Sequence, residues 1–363
     1  MNSRPLVSII INNFNYERFL AEAIDSACAQ TYENTEVLVV DDGSTDASRK
    51  IISRYTDRIQ TVLKENGGQA SAFNAGFDAS KGEIILFLDA DDLLLPEAVE
   101  RIVAVWQPET VKVHYLLNGI DANGQSLGYT YPSRGEYLGR GDVVTKLLER
   151  GVYGVAPTSA NAFSRIALDK IFPIPADKYR ISADGYIATC IVFYGKVVAI
   201  ETPLGAYRVH GNNNWGNAIN ASKFRSFIEH DLRKRDLILN RAQASGYEVP
   251  VDLLFRTNTH LWARLASFRL DRKQHPVKSD SLLKLMYHGI RSTWLYSDLN
   301  RQKQLVVTLW FFVVGLLPVP IAKPAISWLL AQESRPKSVE WILNRIRPLL
   351  NRTSVSLHQE KAL

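Results

Sequence analysis

Short strand-like runs alternate with longer amphipathic segments along the first ninety residues. The runs are rich in Val, Ile and Leu, and the longer segments begin with capping residues and have the length of helices. The strand-like runs cover residues 7–11, 36–40, 61–63 and 84–88, and the helix-like segments cover about residues 17–30, a stretch beginning near residue 46, and residues 69–79. This alternation predicts a doubly wound α/β sheet with mainly parallel strands.

Polar residues follow three of the predicted strands. They are Asn12 and Asn13, Asp41 and Asp42, and Asp89. Because the carboxyl ends of parallel strands share one edge of a sheet, we expect these side chains to converge on the crevice where open α/β sheets bind ligands. Residues 89–92 alone carry three carboxylates, which repel one another and so favour a bound cation. Oxygen ligands of this kind favour Mg²⁺ or Mn²⁺.

The pattern changes after residue 110. Residues 111–142 are rich in glycine, and Asn123-Gly124 is a hairpin-turn signal, so we expect an antiparallel hairpin and a mobile loop there. Residues 187–198 return to helix-then-strand order. We therefore predict an α/β domain over residues 1–217 and a helical C-terminal region over residues 218–363.

One segment of the C-terminal region is almost wholly apolar. It covers residues 305–317 and is followed by three prolines. A helix of that length reaches about 20 Å, short of the ~30 Å hydrocarbon core of a bilayer. Flanking Arg301, Lys303 and Lys323, with Trp310 and Trp328, favour an interfacial or re-entrant segment. A buried helix of the C-terminal core is the alternative.

Charge is unevenly distributed along the 363 residues, although the net charge is only +6. Residues 1–222 contain 20 Lys and Arg against 26 Asp and Glu, and residues 223–363 contain 23 against 11. The acidic first part argues against nucleic acid as a partner, whereas the basic second part suits an anionic membrane surface or simply a solvated face.

The two cysteines, Cys28 and Cys190, form neither a disulfide framework nor a metal-ligand pattern, which favours a reducing compartment. The first residues lead directly into a strand-like run, so no signal peptide is expected. We expect a cytoplasmic location, with peripheral attachment to the cytoplasmic face of the membrane as a further hypothesis.

Four motifs occur in an order that resembles glycosyltransferase family 2. They are residues 7–15, residues 41–46, residues 66–68 with 74–76, and residues 89–92. The resemblance covers about residues 5–217. It implies a GT-A fold and inverting transfer of a sugar from a nucleotide-sugar donor.

The resemblance also assigns roles at the donor site. Asp91 would be a metal ligand and Asp89 would reach the metal or the ribose, while Asp92 is a turn or cap residue. Asp42 would bind the nucleobase and Phe14 would stack on it, which favours UDP- or dTDP-linked donors. Gly68 would let the backbone approach the nucleoside.

Three further residues match motifs later in the chain. Asp184 aligns with the catalytic base, which takes the proton of the acceptor hydroxyl. Ala183 stands where many relatives have Glu. His210 would bind the metal or a phosphate, and Arg208 would offer its guanidinium to phosphate.

The function predicted from these residues is transfer of a sugar to a carbohydrate or lipid-linked acceptor, in the synthesis of surface polysaccharide or glycoconjugates. Two alternatives remain open. One is a sugar nucleotidyltransferase, although the basic glycine-rich loop expected after its first strand is missing from the sequence. The other is a catalytically silent nucleotide-sugar-binding protein that docks to membranes. A dinucleotide-binding dehydrogenase is disfavoured because no G-x-G-x-x-G follows a strand.

Overall fold

The strand-like runs of the first ninety residues form four parallel strands. We describe them from a computed structural model that covers residues 4–133, 138–211 and 221–330. The strands are β1 (Val7–Asn13), β2 (Thr35–Asp42), β3 (Gln60–Lys64) and β4 (Ile84–Asp89). The predicted parallel arrangement of this part is confirmed.

Helices connect these strands and cover the sheet. They are α1 (Leu20–Cys28), α2 (Ser48–Ile52), α3 (Gln69–Ala79) and, after β4, α4 (Ala98–Ala104). The strand order is β3-β2-β1-β4, so the chain runs outward from β1 to β3 and then crosses back to the other side of β1. The β1/β4 boundary is therefore a topological switch point, the place where open α/β sheets bind ligands.

The remaining strands make the sheet mixed. They are β5 (Leu93–Leu94), β6 (Thr110–Ile120), β7 (Ser126–Tyr131), β8 (Asn161–Ser164) and β9 (Lys196–Arg208). Strand β8 lies antiparallel between β4 and β6, β9 runs parallel to β6, and β5 pairs with β9. The predicted hairpin is confirmed, because β6 and β7 are antiparallel. The helices of this part are α5 (Val144–Arg150), α6 (Arg165–Leu168) and α7 (Ala183–Cys190).

Both faces of the central strands are buried. On one face, Ile9 and Leu86 belong to a core cluster that also includes Ile24 of α1. On the other, the rings of Phe73 in α3 and Phe87 in β4 stack with centroids 4.1 Å apart. Burial of each such side chain contributes about 1.5–3 kcal/mol, so the strands that carry the polar ends are held firmly in place.

The chain divides into two compact units. The first contains Met1–Leu148, Val152–His210 and Asp236–Val249, and the second contains Glu149–Gly151, Gly211–Arg235 and Pro250–Leu363. The boundary predicted at residue 217 lies outside the described residues. The helices after β9 are α8 (Ala221–Ala244), α9 (Asn258–Leu270), α10 (Leu282–Leu295), α11 (Arg301–Leu316) and α12 (Val319–Leu330). No helix within the described ranges has both the length and the apolar character needed to cross a membrane.

Candidate functional site

The polar ends of β1 and β4 meet at the switch point. Asn12 is the register partner of Asp89, and its Nδ2 donates a hydrogen bond to Asp89 Oδ1 at 3.0 Å. Burial and the nearby Asp91 carboxylate raise the pKa of Asp89 to about 7, and the Asp184 carboxylate acts in the same direction. The structure therefore brings three of the predicted acidic residues into one electrostatic environment.

Asp92 has a structural role at the turn that follows β4. Its backbone N–H donates to the Asp89 carbonyl, which closes the turn, so the prediction of a turn residue is confirmed. Its carboxylate accepts from the Ser159 hydroxyl at 2.6 Å and from the Arg208 backbone N–H at 2.9 Å. Burial, followed by the charges of Asp91 and Asp89, raises the pKa of Asp92. Asp92 therefore ties the turn to β9 and to the segment around Ser159.

Asp91 and His210 lie side by side at this edge. The Asp91 Oδ2 and His210 Nε2 atoms are 2.9 Å apart, and both side chains are largely buried. The rings of Phe19 and Tyr16 pack against the imidazole, with centroids 5.0 and 5.8 Å from it. The aromatic contacts hold His210 beside the Asp91 carboxylate. Burial of Tyr16, followed by the charge of Asp91, raises the pKa of Tyr16.

Arg208 is 1% exposed and its guanidinium is engaged within the protein. It donates to the Asp91 carbonyl at 2.9 Å and to Glu22 Oε2 at 2.7 Å, and it lies over the ring of Phe19. In this arrangement the side chain braces the backbone of the acidic turn. Its predicted contact with phosphate stays a prediction, and it would require the guanidinium to leave these partners.

Asp42 organises the other end of the site. Its two carboxylate oxygens accept from the backbone N–H groups of Gly67 and Gly68, at 2.9 and 2.7 Å, and from Lys64 at 2.6 Å. Gly68 has a φ of +83°, in the region that favours glycine, and a Cβ there would meet Arg180 at 2.4 Å. The loop is thus shaped by Asp42, and Gly68 allows close approach of Arg180.

Phe14 follows β1 and is 44% exposed. The neighbouring Asp41 is buried instead. Burial opposes its ionisation, but hydrogen bonds from Ser44, Arg49 and Asn13 lower its pKa. Asp41 is therefore a structural residue of the β2 end, whereas Phe14 presents an open aromatic surface.

An open cleft of about 500 Å³ lies along the ends of β2 and β3. Its lining residues are Gly43, Ser44, Arg49, Leu63, Lys64, Glu65 and Asn66. The volume is within the range of small-molecule sites.

Asp184 occupies the first turn of α7 and is half-buried. The start of this helix is held by α3, because the Ala183 N–H donates to Gln69 Oε1 at 2.9 Å and the Gln69 N–H donates to the Arg180 carbonyl at 2.8 Å. Arg180 also donates to the Asn66 side chain. The segment that carries Asp184 is thereby fastened to the loop that surrounds Asp42.

The side chains of Asp91 and His210 are chemically suited to bind a divalent cation. Among residues 4–133, 138–211 and 221–330, no three His, Cys, Asp or Glu side chains converge as metal ligands. The adjacent Asp91 oxygen and His210 nitrogen are suitable ligands for Mn²⁺, and oxygen donors suit Mg²⁺. Mg²⁺ sites commonly combine one or two carboxylates with substrate phosphates. Asp91 and His210 therefore supply two protein ligands that are chemically compatible with a divalent cation.

Comparison with known proteins identifies the family of this chain. The model of glycosyl transferase family 2 matches residues 8–172. The chain is 41% identical over 222 residues to glycosyltransferase alr2836 of Nostoc sp.. The aligned region covers 60% of this chain and 68% of the relative. The chain belongs to glycosyltransferase family 2.

Solved structures show that this glycosyltransferase has a GT-A-type fold. TarS of S. aureus (residues 1–349) was solved in complex with UDP. The match covers 91% of this chain and 93% of the TarS chain, at 16% identity and with a TM-score of 0.54. The mannosyltransferase PcManGT of Pyrobaculum calidifontis was solved with GDP-Man and Mn²⁺. The match covers 91% of this chain and 85% of PcManGT, at 17% identity and with a TM-score of 0.51. The predicted fold class is confirmed.

Several residues that shape the candidate site are not evident from the sequence. The sequence marks Asn12 only as a polar strand end, yet it bonds directly to Asp89. Ser159 and Gln69 carry no local signal, because their partners Asp92 and Ala183 are 67 and 114 residues away in the chain. Only the folded arrangement reveals them.

Proposed function

We propose that this glycosyltransferase transfers a sugar, with inversion, from a UDP- or dTDP-sugar to a hydroxyl group of a carbohydrate or lipid-linked acceptor. The observation that supports the proposal is the acidic turn at the β1/β4 switch point, where Asp89 bonds to Asn12 and Asp91 lies 2.9 Å from His210. A carboxylate at the start of α7 lies close enough to the acidic turn to influence the pKa of Asp89. One site can therefore hold a donor diphosphate and activate an acceptor.

The nucleoside end of the proposed donor site is formed by Phe14, Asp42 and Gly68. The Asp42 carboxylate accepts three hydrogen bonds from the protein, and its further role would be to accept the imide N–H of uracil or thymine. Phe14 supplies an exposed ring for stacking. The UDP complex of TarS supports a pyrimidine nucleotide. Because PcManGT was solved with GDP-Man, a purine nucleotide sugar belongs in the donor screen as well.

Asp91 and His210 would hold Mg²⁺ or Mn²⁺, with Asp89 reaching the metal or the ribose. A bound divalent cation would supply positive charge that stabilises the departing diphosphate. The Mn²⁺ in the PcManGT complex supports the use of a divalent cation, though not the choice of these ligands. Arg208 and Asp92 keep the acidic turn in place through their bonds to its backbone and to each other.

The transfer needs one base. The acceptor oxygen attacks the anomeric carbon while Asp184 takes its proton, the bond from that carbon to the diphosphate breaks, and the nucleoside diphosphate leaves. Attack opposite the leaving group inverts the anomeric configuration. The acceptor is proposed to belong to a surface polysaccharide or glycoconjugate.

The test is a screen of nucleotide sugars for metal-dependent release of nucleoside diphosphate. We expect release from a UDP- or dTDP-sugar with Mn²⁺ or Mg²⁺, and its loss after chelation. Asp91→Asn should reduce release at least a hundredfold, since it removes the carboxylate proposed to bind the metal. Asp78→Asn, at an exposed position of α3, is the matched control and should retain activity.

Two results would contradict the proposal. Release of pyrophosphate from a nucleoside triphosphate and a sugar phosphate would indicate a nucleotidyltransferase. Calorimetric binding of UDP and Mn²⁺ without turnover of any donor would indicate a catalytically silent binding protein.

A further inference from the structure

Helix α11 is apolar around most of its circumference, but only one side of it is buried. Val307, Trp310, Phe311 and Val314 pack into the core of the second unit. The opposite side exposes Leu305, Leu309, Phe312 and Leu316, which are 45–63% exposed. These four are spaced at i, i+4, i+7 and i+11 and form one stripe. The stripe has the composition of a core-facing surface, yet its side chains are exposed.

Helix α10 extends this surface. The two helices are antiparallel and closely packed, because a Cβ at Gly289 would meet Phe311 and one at Gly315 would meet Met286. Trp294 is 43% exposed and its indole N–H donates to Thr308 of α11 at 3.0 Å. Trp294 therefore lies along the flank of the stripe.

We name this surface the α11 patch. Its members are Trp294, Leu305, Val306, Leu309, Phe312, Leu316 and Leu317, all 39–63% exposed. With about half of each large side chain exposed, the patch measures on the order of 600 Å², at the upper end of the roughly 300–600 Å² typical of the largest apolar patch of a monomer. Exposed surfaces of this size and composition commonly mark an interaction site.

Positive charges border the patch. Arg301 and Lys303 are exposed in the first turn of α11, and Lys323 is exposed in α12. Residues 282–330 contain five Lys and Arg and a single acid, Asp298, which forms an ion pair with Arg150 at 2.6 Å. An apolar strip with a cationic border is complementary to the acyl chains and phosphate groups of an anionic lipid surface.

We propose that the α11 patch docks on an anionic membrane surface, with α11 lying in the interfacial plane. The helix has 16 residues and reaches about 24 Å, which is too short to span a bilayer. A second copy of the chain is a poorer occupant. In a two-fold dimer the patch would face itself, and the surrounding cations of one copy would then face those of the other. This inference goes beyond the transferase activity and does not depend on it.

The experiment is flotation of the full chain with vesicles of phosphatidylcholine alone and with vesicles that also contain phosphatidylglycerol. We expect flotation with the anionic vesicles and little with the neutral ones. Arg301→Gln and Lys303→Gln should each weaken binding about fivefold, and added salt should weaken it further.

A charge placed in the patch tests the apolar part. Leu309→Glu with Phe312→Glu should reduce flotation at least tenfold and leave nucleoside diphosphate release unchanged. The matched control is Ile166→Glu with Val251→Glu, which introduces the same charge at apolar positions 74% and 101% exposed. It should float like the wild type, and thermal melting of both variants establishes that they are folded.

Three outcomes would overturn the proposal. One is the absence of flotation with anionic vesicles. Another is equal loss of flotation in the patch variant and the control, which would indicate an effect of charge alone. The third is a wild-type dimer in light scattering that becomes monomeric in the patch variant without any vesicle binding, which would assign the patch to a second copy of this chain.

Discussion

Gln69 joins the two halves of the proposed site through hydrogen bonds to the segment before Asp184. Gln69→Ala removes the acceptor of the Ala183 N–H, so the start of α7 should shift away from α3. Displacement of a catalytic group by about 1 Å can cost up to a hundredfold in rate, so we expect kcat to fall roughly ten- to a hundredfold. The affinity for UDP, measured by calorimetry, should change little.

Gln69→Glu is the control for this prediction. Its carboxylate can still accept the Ala183 N–H, so kcat should stay close to that of the wild type. If Gln69→Ala is as active as the wild type, or if the Glu variant is as impaired as the Ala variant, the bond does not position Asp184.

The residues at strand ends were the most predictable part of the site. Asp42 and Asp89 are the last residues of buried strands, and strand geometry alone brings such ends to one edge. The surroundings of Arg208 were not predictable in the same way. A motif match suggests a phosphate contact, but the partners of its backbone and side chain include Glu22, Asp91, Asp92 and Asp121, which are distant in sequence.

At the scale of elements, the connection between β3 and α3 depends on Gly68. Gly68→Ala would combine a strained positive φ with a collision against Arg180. We expect unfolding to become easier by about 2 kcal/mol or more, with weaker UDP binding because the Asp42 loop is displaced. Thermal melting and calorimetry check both effects.

Gly128→Ala separates the two causes. Gly128 has a similar φ of +75°, but a Cβ there meets no atom within 4 Å. It should cost only the backbone strain of about 1–2 kcal/mol and leave UDP binding unchanged. Equal losses of stability and affinity in the two variants would contradict the argument from the Arg180 contact.

The first four strands were predictable because continuous apolar runs indicate strands buried on both faces. The strands after β4 were harder to predict from the sequence. Strand β8 has only four residues and pairs antiparallel with both β4 and β6, so its place depends on contacts about 50 to 80 residues away. The hairpin of β6 and β7 was recognised because Asn123-Gly124 is a local signal.

At the scale of the whole molecule, charge and chemistry are divided between the two parts of the chain. The acidic site lies in the first unit, while the second part carries the basic excess and the α11 patch. The sequence indicated that residues 305–317 interact with apolar surroundings but not which ones. The structure shows both kinds of surface on α11, a buried side and an exposed side.

The central claim is that Asp184 is the base of a transferase built around the acidic turn. It is tested most directly by the turnover of Asp184→Asn on a donor that the wild type uses, measured beside UDP binding. The account predicts a fall in kcat of at least a hundredfold with unchanged UDP affinity, because only proton removal is lost. Asp177→Asn, in the exposed part of the preceding loop, should retain full turnover. Normal turnover by Asp184→Asn would contradict the account.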